Sequence, residues 1–389
     1  MELYIIDTDF NRHGFIDDYI SIEEKLSYDS MGSFTLTIGG DSSYVELLQI
    51  NRIIVPSDDL TRGYIIKSRE YVDESSKVLT IIAYPLTTVL YDRLIIGQQT
   101  FSGTTETILR ALVSGNMISS TNVKRNIYNL VLGTSQGLNV GTGSQEIESN
   151  KNLGEYCYEL AKKNDISFDI RLDHERKMFI FEVFQGTDRT LEQQVNPAVI
   201  FSKDFDNIIT QNYVENIVDY KTTAIVTAEY TEEVEVPAVD AQGRDTTRTE
   251  QANRQMTVIV NDEATGFDRK EIFINASDIK KSYDNGTQVV VITDQDYERM
   301  LREKGLNTLT DYTHIRTLES VVDAVGSFVY MVDYFLGDKV SIKHDELNLI
   351  LHTRIMSVIK RVDRTGTTLE IVFGSNIPTL IQTIKKKVK

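Results

Sequence analysis

The sequence predicts an α+β protein that is mostly β: two similar small β-barrels, an α+β module between them and a helical insertion in the second barrel. Three observations carry this. Apolar and polar residues alternate between short turn clusters over the first ninety positions, helical spacing replaces that alternation after Leu86, and the early hairpin pattern returns 290 positions later. With 389 residues the chain exceeds the ~250–300 that one core supports, so several parts are expected.

Residues 19–27 alternate, with Tyr19, Ile20, Ile22 and Leu26 as the apolar positions. The cluster Tyr28-Asp29-Ser30-Met31-Gly32-Ser33 turns the chain, and 34–38 alternate again. Further strands are expected at 52–55, 64–72 and 78–84, the last two joined by Asp73-Glu74-Ser75-Ser76. Short strands with short turns predict a small barrel over 1–90. In the next part, 91–206, Thr107, Ile108, Ala111 and Leu112 predict a helix over 104–112. Leu153, Tyr156, Cys157, Leu160 and Ala161 predict another over 152–163. Strands at 166–172 and 178–184 complete an α+β module.

The second barrel is expected over 207–263 and 336–378. Its strands fall at 212–230, 255–260, 339–343, 353–362 and 369–373, with 237–253 as a polar loop. The insertion, 264–335, holds a helix at 294–304 capped by Asp294 and a second at 318–325. A basic tail, 379–389, carries Lys385, Lys386, Lys387 and Lys389.

Sliding the chain on itself exposes the repeat. Residues 64–73 fall on 354–363, and the register continues ungapped until Leu79-Thr80-Ile81-Ile82-Ala83 lies on Leu369-Glu370-Ile371-Val372-Phe373. Upstream, Asn51-Arg52-Ile53 matches Asp338-Lys339-Val340. A chain that carries one barrel twice builds a ring of six barrels from three copies, which suits a six-fold assembly.

The charge narrows the function. With 58 acidic against 41 basic residues the net charge is −17, the opposite of the basic face that neutralises phosphates. No specific nucleic-acid binding is expected. Cys157 is the single cysteine, so neither an intrachain disulfide nor a multi-cysteine metal site is expected. The start, Met1-Glu2-Leu3-Tyr4, has no signal-peptide pattern, and no apolar run approaches the ~20 residues of a membrane helix.

Catalytic patterns fail on context. Gly133-Thr134-Ser135-Gln136-Gly137 matches Gly-x-Ser-x-Gly, but that elbow needs a helix straight after it, and Leu138-Asn139-Val140-Gly141-Thr142-Gly143 follows instead. Gly141-Thr142-Gly143 lacks the lysine spacing of a phosphate loop. His13, His174, His314, His344 and His352 are scattered, with His344 and His352 expected to face solvent on a hairpin. Pairs such as Asp17-Asp18 and Asp58-Asp59 arise by chance in so acidic a chain. Cys157 is expected as a buried small hydrophobe, and Arg189 as a structural partner for a carboxylate. No catalytic, cofactor-binding or metal-ligating residue is expected.

Lys177-Met178-Phe179-Ile180-Phe181-Glu182-Val183 leads into Gly186-Thr187-Asp188-Arg189-Thr190 and then Asn196-Pro197-Ala198-Val199-Ile200-Phe201-Ser202. With Leu90-Tyr91-Asp92-Arg93-Leu94-Ile95, these runs resemble siphovirus tail proteins of the Gp37-like family of a Rhodococcus phage. The resemblance implies the tail-hub fold shared by the N-terminal part of tail-associated lysins and by baseplate hubs. It implies a homotrimer whose barrels form a pseudo-six-fold ring at the tail tip. Expected neighbours are the distal tail protein or tail tube protein, the tape-measure protein and receptor-binding or fibre proteins. Many relatives continue into a lytic or receptor-binding domain; this chain ends at Lys389, so either it never carried one or a separate protein supplies it. The competing expectation is a tail-associated peptidoglycan hydrolase, which requires a pocket gathering Ser135, His174 or paired carboxylates.

Overall fold

The structure is a computed structural model, and it describes residues 1–73, 77–97, 99–147, 149–239, 245–284, 289–322, 327–344 and 346–374. The expected turn residues 74–76 and the basic tail lie outside that set. The chain divides into two compact units, Met1–Tyr213 with the residues from Thr317 onward, and Val214–Arg316.

Seven strands open the larger unit: β1 (Leu3–Ile6), β2 (Arg12–Ile16), β3 (Ser21–Ser27), β4 (Ser33–Gly39), β5 (Ile53–Pro56), β6 (Tyr64–Asp73) and β7 (Lys77–Pro85). Alternation drives them: β4 buries Phe34, Leu36 and Ile38 and turns its threonines outward. β5 departs from alternation because it is covered on both faces. Ile54 joins the core of the large sheet, while Ile53 and Val55 join that of the module.

The module follows with β8 (Gln99–Gly103), α1 (Thr105–Val113), β9 (Leu130–Leu132), β10 (Gly143–Ile147), α2 (Leu153–Lys163), β11 (Ser167–Asp173) and β12 (Met178–Phe184). Both helices start at side-chain caps. Thr104 accepts from the Thr107 N–H, and Asn152 from the Glu155 N–H. Their apolar stripes, Ile108, Leu109 and Leu112 on one and Leu153, Cys157, Leu160 and Ala161 on the other, pack with Phe168, Ile170, Phe179 and Phe181 of the sheet β11-β12-β9.

Next come β13 (Ile200–Phe201) and β14 (Ile208–Asn216), and then the smaller unit. It holds β15 (Thr223–Val239), β16 (Asp245–Val260), β17 (Glu271–Asn275), β18 (Ser282–Asp284), β19 (Val289–Val291) and α3 (Asp294–Leu309). Tyr297, Leu301 and Leu309 of α3 pack on Ala224, Val226, Val258 and Val260. Gly305 allows that approach, since a Cβ there would lie 2.8 Å from Val226 and Val260 methyls. The chain returns to the sheet through β20 (Ile315–Val322), β21 (Lys339–His344), β22 (Leu349–Asp363) and β23 (Gly366–Gly374).

Three expectations change here. The polar stretch 237–253 continues the ladder of β15 and β16 through Val239↔Asp245, because threonines and charged residues suit a ribbon with two wet faces as well as they suit a loop. Of the expected helix at 318–325, residues 318–322 belong to strand β20, where Leu318, Ser320 and Val322 are buried alternately, a period of two, and 323–325 lie outside the described residues. The cap of α3 is Thr293, whose hydroxyl accepts from the Asp296 N–H.

Nor, among the described residues, does either set of strands close into a barrel. One sheet runs β14-β20-β23-β22-β3-β4-β7-β6-β5-β1-β2, with β21 and β13 branching from β22. Its two halves share one core, in which Phe34, Leu36 and Ile81 from the early strands join Phe201, Ile371 and Phe373 from the late ones. The pairing of β22 with β3, Ser357↔Ser27 through Asp363↔Ser21, joins the halves and occupies edges that closure would need.

The repeat is present in topology. β3, β4, β5, β6 and β7 have the chain order and mutual neighbours of β14, β20, β21, β22 and β23, while β13 runs parallel to β21 where β1 runs antiparallel to β5. The insertion therefore interrupts the counterpart of the β3–β4 turn, and the hairpin β15–β16 belongs to it, although 207–263 was expected in the second barrel. Register refines the alignment. In β6 a bulge falls between Ile66↔Ala83 and Ser68↔Ile82, and in β22 between Ile355↔Phe373 and Ser357↔Val372. The offset is thus 289 along the first strand and 290 along the second, the later hairpin holding one more residue between the equivalent pairs Asp73↔Lys77 and Val362↔Thr367.

Backbone detail repeats as well, with Asn51 and Arg52 answering to Gly337 and Asp338, one position before the expected match of 51–53 with 338–340. The Asn51 N–H donates to Ile66 O and the Ile66 N–H to Arg52 O; the Gly337 N–H donates to Ile355 O and the Ile355 N–H to Asp338 O. Asn51 and Gly337 both lie in the left-handed region, at φ 68° and 89°. Glycine is required at the second site, where a Cβ would stand 2.5 Å from the Tyr28 ring. Asn51→Gly is therefore expected to change unfolding free energy by less than about 1 kcal/mol, and Gly337→Asn to cost about 2–4 kcal/mol in denaturant titration.

Candidate functional site

The site begins at the charged groups that the fold buries. Alternation in β3 puts Ile22, Glu24 and Leu26 on the inward face. The Glu24 carboxylate accepts from Arg62 Nη1 at 3.1 Å and from the Tyr64 hydroxyl. Arg62 also pairs with Asp59 through Nη2 at 3.0 Å, and Asp59 accepts from Arg171 of β11 at 3.1 Å. Burial alone would raise the Asp59 carboxyl; the charge of Arg62, the Thr61 hydroxyl and the charge of Arg171 outweigh it and hold it below the usual range. The chain of contacts joins the first half of the sheet to the module.

A second cluster joins all three parts of the larger unit. Asp165 follows α2 with φ 52°, a left-handed residue at a helix end. Its carboxylate takes both Nε, at 2.7 Å, and Nη2 of Arg354 from β22. Arg354 also donates to Gly337 O, and its guanidinium lies 4.8 Å from the Tyr28 ring centre. Tyr28, at the end of β3, donates its hydroxyl to Asp165 O at 2.9 Å, while its carbonyl accepts from the Ser167 hydroxyl at 2.6 Å.

The runs around Arg189 complete this junction. Buried Asp338 accepts from the Thr187 N–H at 2.7 Å, from Arg189 Nε at 2.9 Å and from the Phe335 N–H at 3.0 Å. Lys339 N–H donates to Thr187 O, and Arg189 N–H to Lys339 O. Gly186 lies so close to the later strands that a Cβ would stand 1.9 Å from Gly337 O. Asp188 accepts from the Thr190 hydroxyl, and Asn196 donates to Asp188 O. These residues form a clasp, which explains Gly-x-Asp-Arg-Thr without any chemistry.

The other sequence candidates scatter. The Ser135 hydroxyl donates to Glu106 Oε1 at 2.7 Å, and the N–H groups of Gln136 and Leu138 donate to the same carboxylate. The segment around Ser135 is thus a wrapping for Glu106 of α1. His174 is held by Leu60 O at 2.7 Å and lines a shallow depression with Thr61, Arg171, Asp173, Glu175 and Glu182; Ser135 does not line it. His352 is exposed, as expected, with Nδ1 2.9 Å from the Ser341 hydroxyl, whereas the side chain of His344 is mostly covered, contrary to the expected solvent-facing position. His13 sits 3.1 Å from Asp7 and His314 2.8 Å from Glu215. Cys157 is fully buried, and burial pushes its thiol up. Among the described residues no group of three His, Cys, Asp or Glu side chains is placed to hold a metal.

Glu24, Asp165 and Arg354 escaped sequence reasoning. Glu24 carried a signal, a charge at an inward position of an alternating strand. Asp165 and Arg354 carried none, being 189 positions apart.

Arg354→Met is expected to destabilise by about 2–4 kcal/mol in denaturant unfolding, since it strips a partner from Gly337 O and removes the contact over Tyr28. Asp59 gives a pH signature. Its folded pKa is depressed, so its contribution is complete above the unfolded value of about 3.9 and is lost as pH falls through the folded one. Asp59→Asn is expected to flatten the acid limb of a stability-against-pH curve below about pH 4, measured by thermal unfolding.

Comparison with known proteins agrees with this architecture. The family model described as Siphovirus ReqiPepy6 Gp37-like protein matches residues 2–375. The 43 kDa tail protein of prophage MuSo2 from Shewanella oneidensis has a similar fold, at 13% identity and TM-score 0.54 over 96% of this chain and 98% of that one. The tail protein from Neisseria meningitidis MC58 matches at 14% identity and TM-score 0.56, over 96% of each chain. Prophage tail protein gp18 from Listeria monocytogenes EGD-e matches at 11% and 0.54, over 100% and 98%. No curated protein matches the chain in sequence. The match over nearly the whole length places the chain in the Gp37-like family of siphovirus tail proteins.

Proposed function

We propose that this tail protein is the hub of the tail tip, a structural component of the virion and not an enzyme. Three copies form a pseudo-six-fold ring that closes the distal end of the tail tube. The observation that carries this reading is the five-strand order found twice in one chain. Two like halves per chain let three chains present six similar surfaces to a six-fold tube. In this reading β1–β7 are one hub domain, the strands from β13 to β14 and from β20 to β23 the other, 91–199 the module between them and Val214–Arg316 an insertion.

The ring contacts the distal tail protein or tail tube protein above, and receptor-binding or fibre proteins below, with the tape-measure protein ending in its channel. Its work is mechanical: it holds the channel closed and transmits host contact. Buried ion clusters between the halves and the module suit that role, because they fix relative position while adding little net stability. The net charge of −17 supports a wall along which DNA slides without sticking.

The hydrolase alternative loses its main support, since Ser135 and His174 are engaged in separate places. Light scattering of the purified protein is expected to give a trimer mass, and negative-stain images down the axis six lobes; a zymogram is expected to show no clearing. A cleared zymogram band that disappears with Ser135→Ala or His174→Ala would reinstate the enzyme.

A further inference from the structure

The unit Val214–Arg316 carries the sheet β16-β15-β17, which α3 covers on one face. Ala224, Val226, Val258 and Ile274 point to that face and are buried with Tyr297 and Leu301. The residues between them point the other way. There the register sets Ile225 between Ile259 and Phe273, one apolar row across all three strands. Ile225 is half-buried, while Ile259 and Phe273 are 39% and 67% exposed. Phe267, in the turn that leads into β17, is fully exposed. A sheet face left to water ordinarily shows polar side chains, so an apolar row on it is a candidate contact.

The same register sorts the charges. β17 stops at Asn275, opposite Thr227, and β15 and β16 run on alone as a ribbon, from Ala228↔Met256 to Val239↔Asp245. On the face of the apolar row, the ribbon's charged residues are all acidic: Glu229, Glu233, Glu235 and Asp245. Arg248 and Arg254 lie on the other face and pair there with Glu250 and Glu232. Among the described residues, Glu229, Glu233 and Glu235 make no ion pair. A two-stranded ribbon is marginally stable alone in water, so a further element laid along it adds stability.

We propose that this face binds a partner protein through an extended segment rich in lysine or arginine, with apolar residues at one end. The apolar end covers Ile225, Ile259 and Phe273, and the cations follow the glutamates along the ribbon. Charge complementarity selects this occupant. A second copy presenting the same face would set carboxylate against carboxylate. Width selects an extended chain: the ribbon is one interstrand spacing across, about 5 Å, and a helix of about 10–12 Å overhangs it. From Ile225 to Glu235 the face runs about 33 Å, the length of about ten extended residues. This contact belongs to the insertion alone and stands apart from the ring.

The test uses the full-length chain and two fluorescein-labelled peptides. One is a run of valines followed by lysine–serine repeats, about ten residues in all to match the face; the other has glutamate in place of lysine. Fluorescence anisotropy is expected to show saturable binding of the lysine peptide that weakens at high salt, and none of the glutamate peptide. Phe273→Ser with Ile259→Thr is expected to weaken binding about tenfold with unchanged circular dichroism. Glu229→Gln with Glu233→Gln and Glu235→Gln is expected to weaken it about as much. In the wild-type chain the lysine peptide is expected to slow amide exchange over 225–235 and leave α3 unchanged; this decides the matter should a variant fail to fold. No binding of the lysine peptide, or equal binding of both, would overturn the site. Binding that the glutamine variant loses and the Phe273→Ser, Ile259→Thr variant keeps would reduce it to indiscriminate charge attraction. A light-scattering mass that falls when Phe273 and Ile259 are replaced would put a second copy on the face and overturn the proposal.

Discussion

The Arg354–Asp165 pair is the contact on which the larger unit turns. Arg354 comes from the late half of the sheet, Asp165 from the module and Tyr28 from the early half, and the three touch within one cluster. Two glycines make that approach possible: a side chain on Gly337 would strike Tyr28, and one on Gly186 would strike Gly337. Geometry this tight is sensitive to single atoms, since packed interiors have few voids to absorb a methyl group. The pair is only partly dry, as Arg354 is buried while Asp165 keeps contact with water. Its contribution is therefore better described as position than as net stability.

Joining the halves through β22 and β3 has consequences for the whole sheet. Two closed barrels would each own a core and each be free to move. One open sheet with a common core makes the halves a single body, and it leaves strand edges to be covered in another way. In the proposed hub, the first property would let force pass from a receptor contact to the channel. Both follow from the same pairing.

The reading of the chain before the fold was seen succeeded where the signal was local. The helices of the module and the strands 166–172 and 178–184 were legible because a 3.6-residue or two-residue period was written within a dozen positions. The segment 318–325 failed for the opposite reason: Leu318-Glu319-Ser320-Val321-Val322 satisfies either period, and only its pairing with β23 decides. The stretch 237–253 failed because a ribbon wet on both faces has no apolar stripe to show. Sliding the chain on itself found the repeat but misplaced its first strand by one residue, since the later hairpin holds one more residue between equivalent pairs and an ungapped match has no room for it.

What the sequence determined by itself was the inventory: mostly β texture, a repeated hairpin, an acidic chain and the resemblance that marks its family. Periodicity, charge and short motifs depend on neighbours along the chain, so no fold is needed to read them. What only the tertiary structure decided was which pieces meet. It decided that two halves share one sheet in place of closing twice, that the insertion begins inside the β14–β20 connection, and that Arg189 finds Asp338 and Arg354 finds Asp165. Those contacts join residues 149 and 189 positions apart. At such separations sequence position carries no information about distance, and the packing of the core alone brings the partners together.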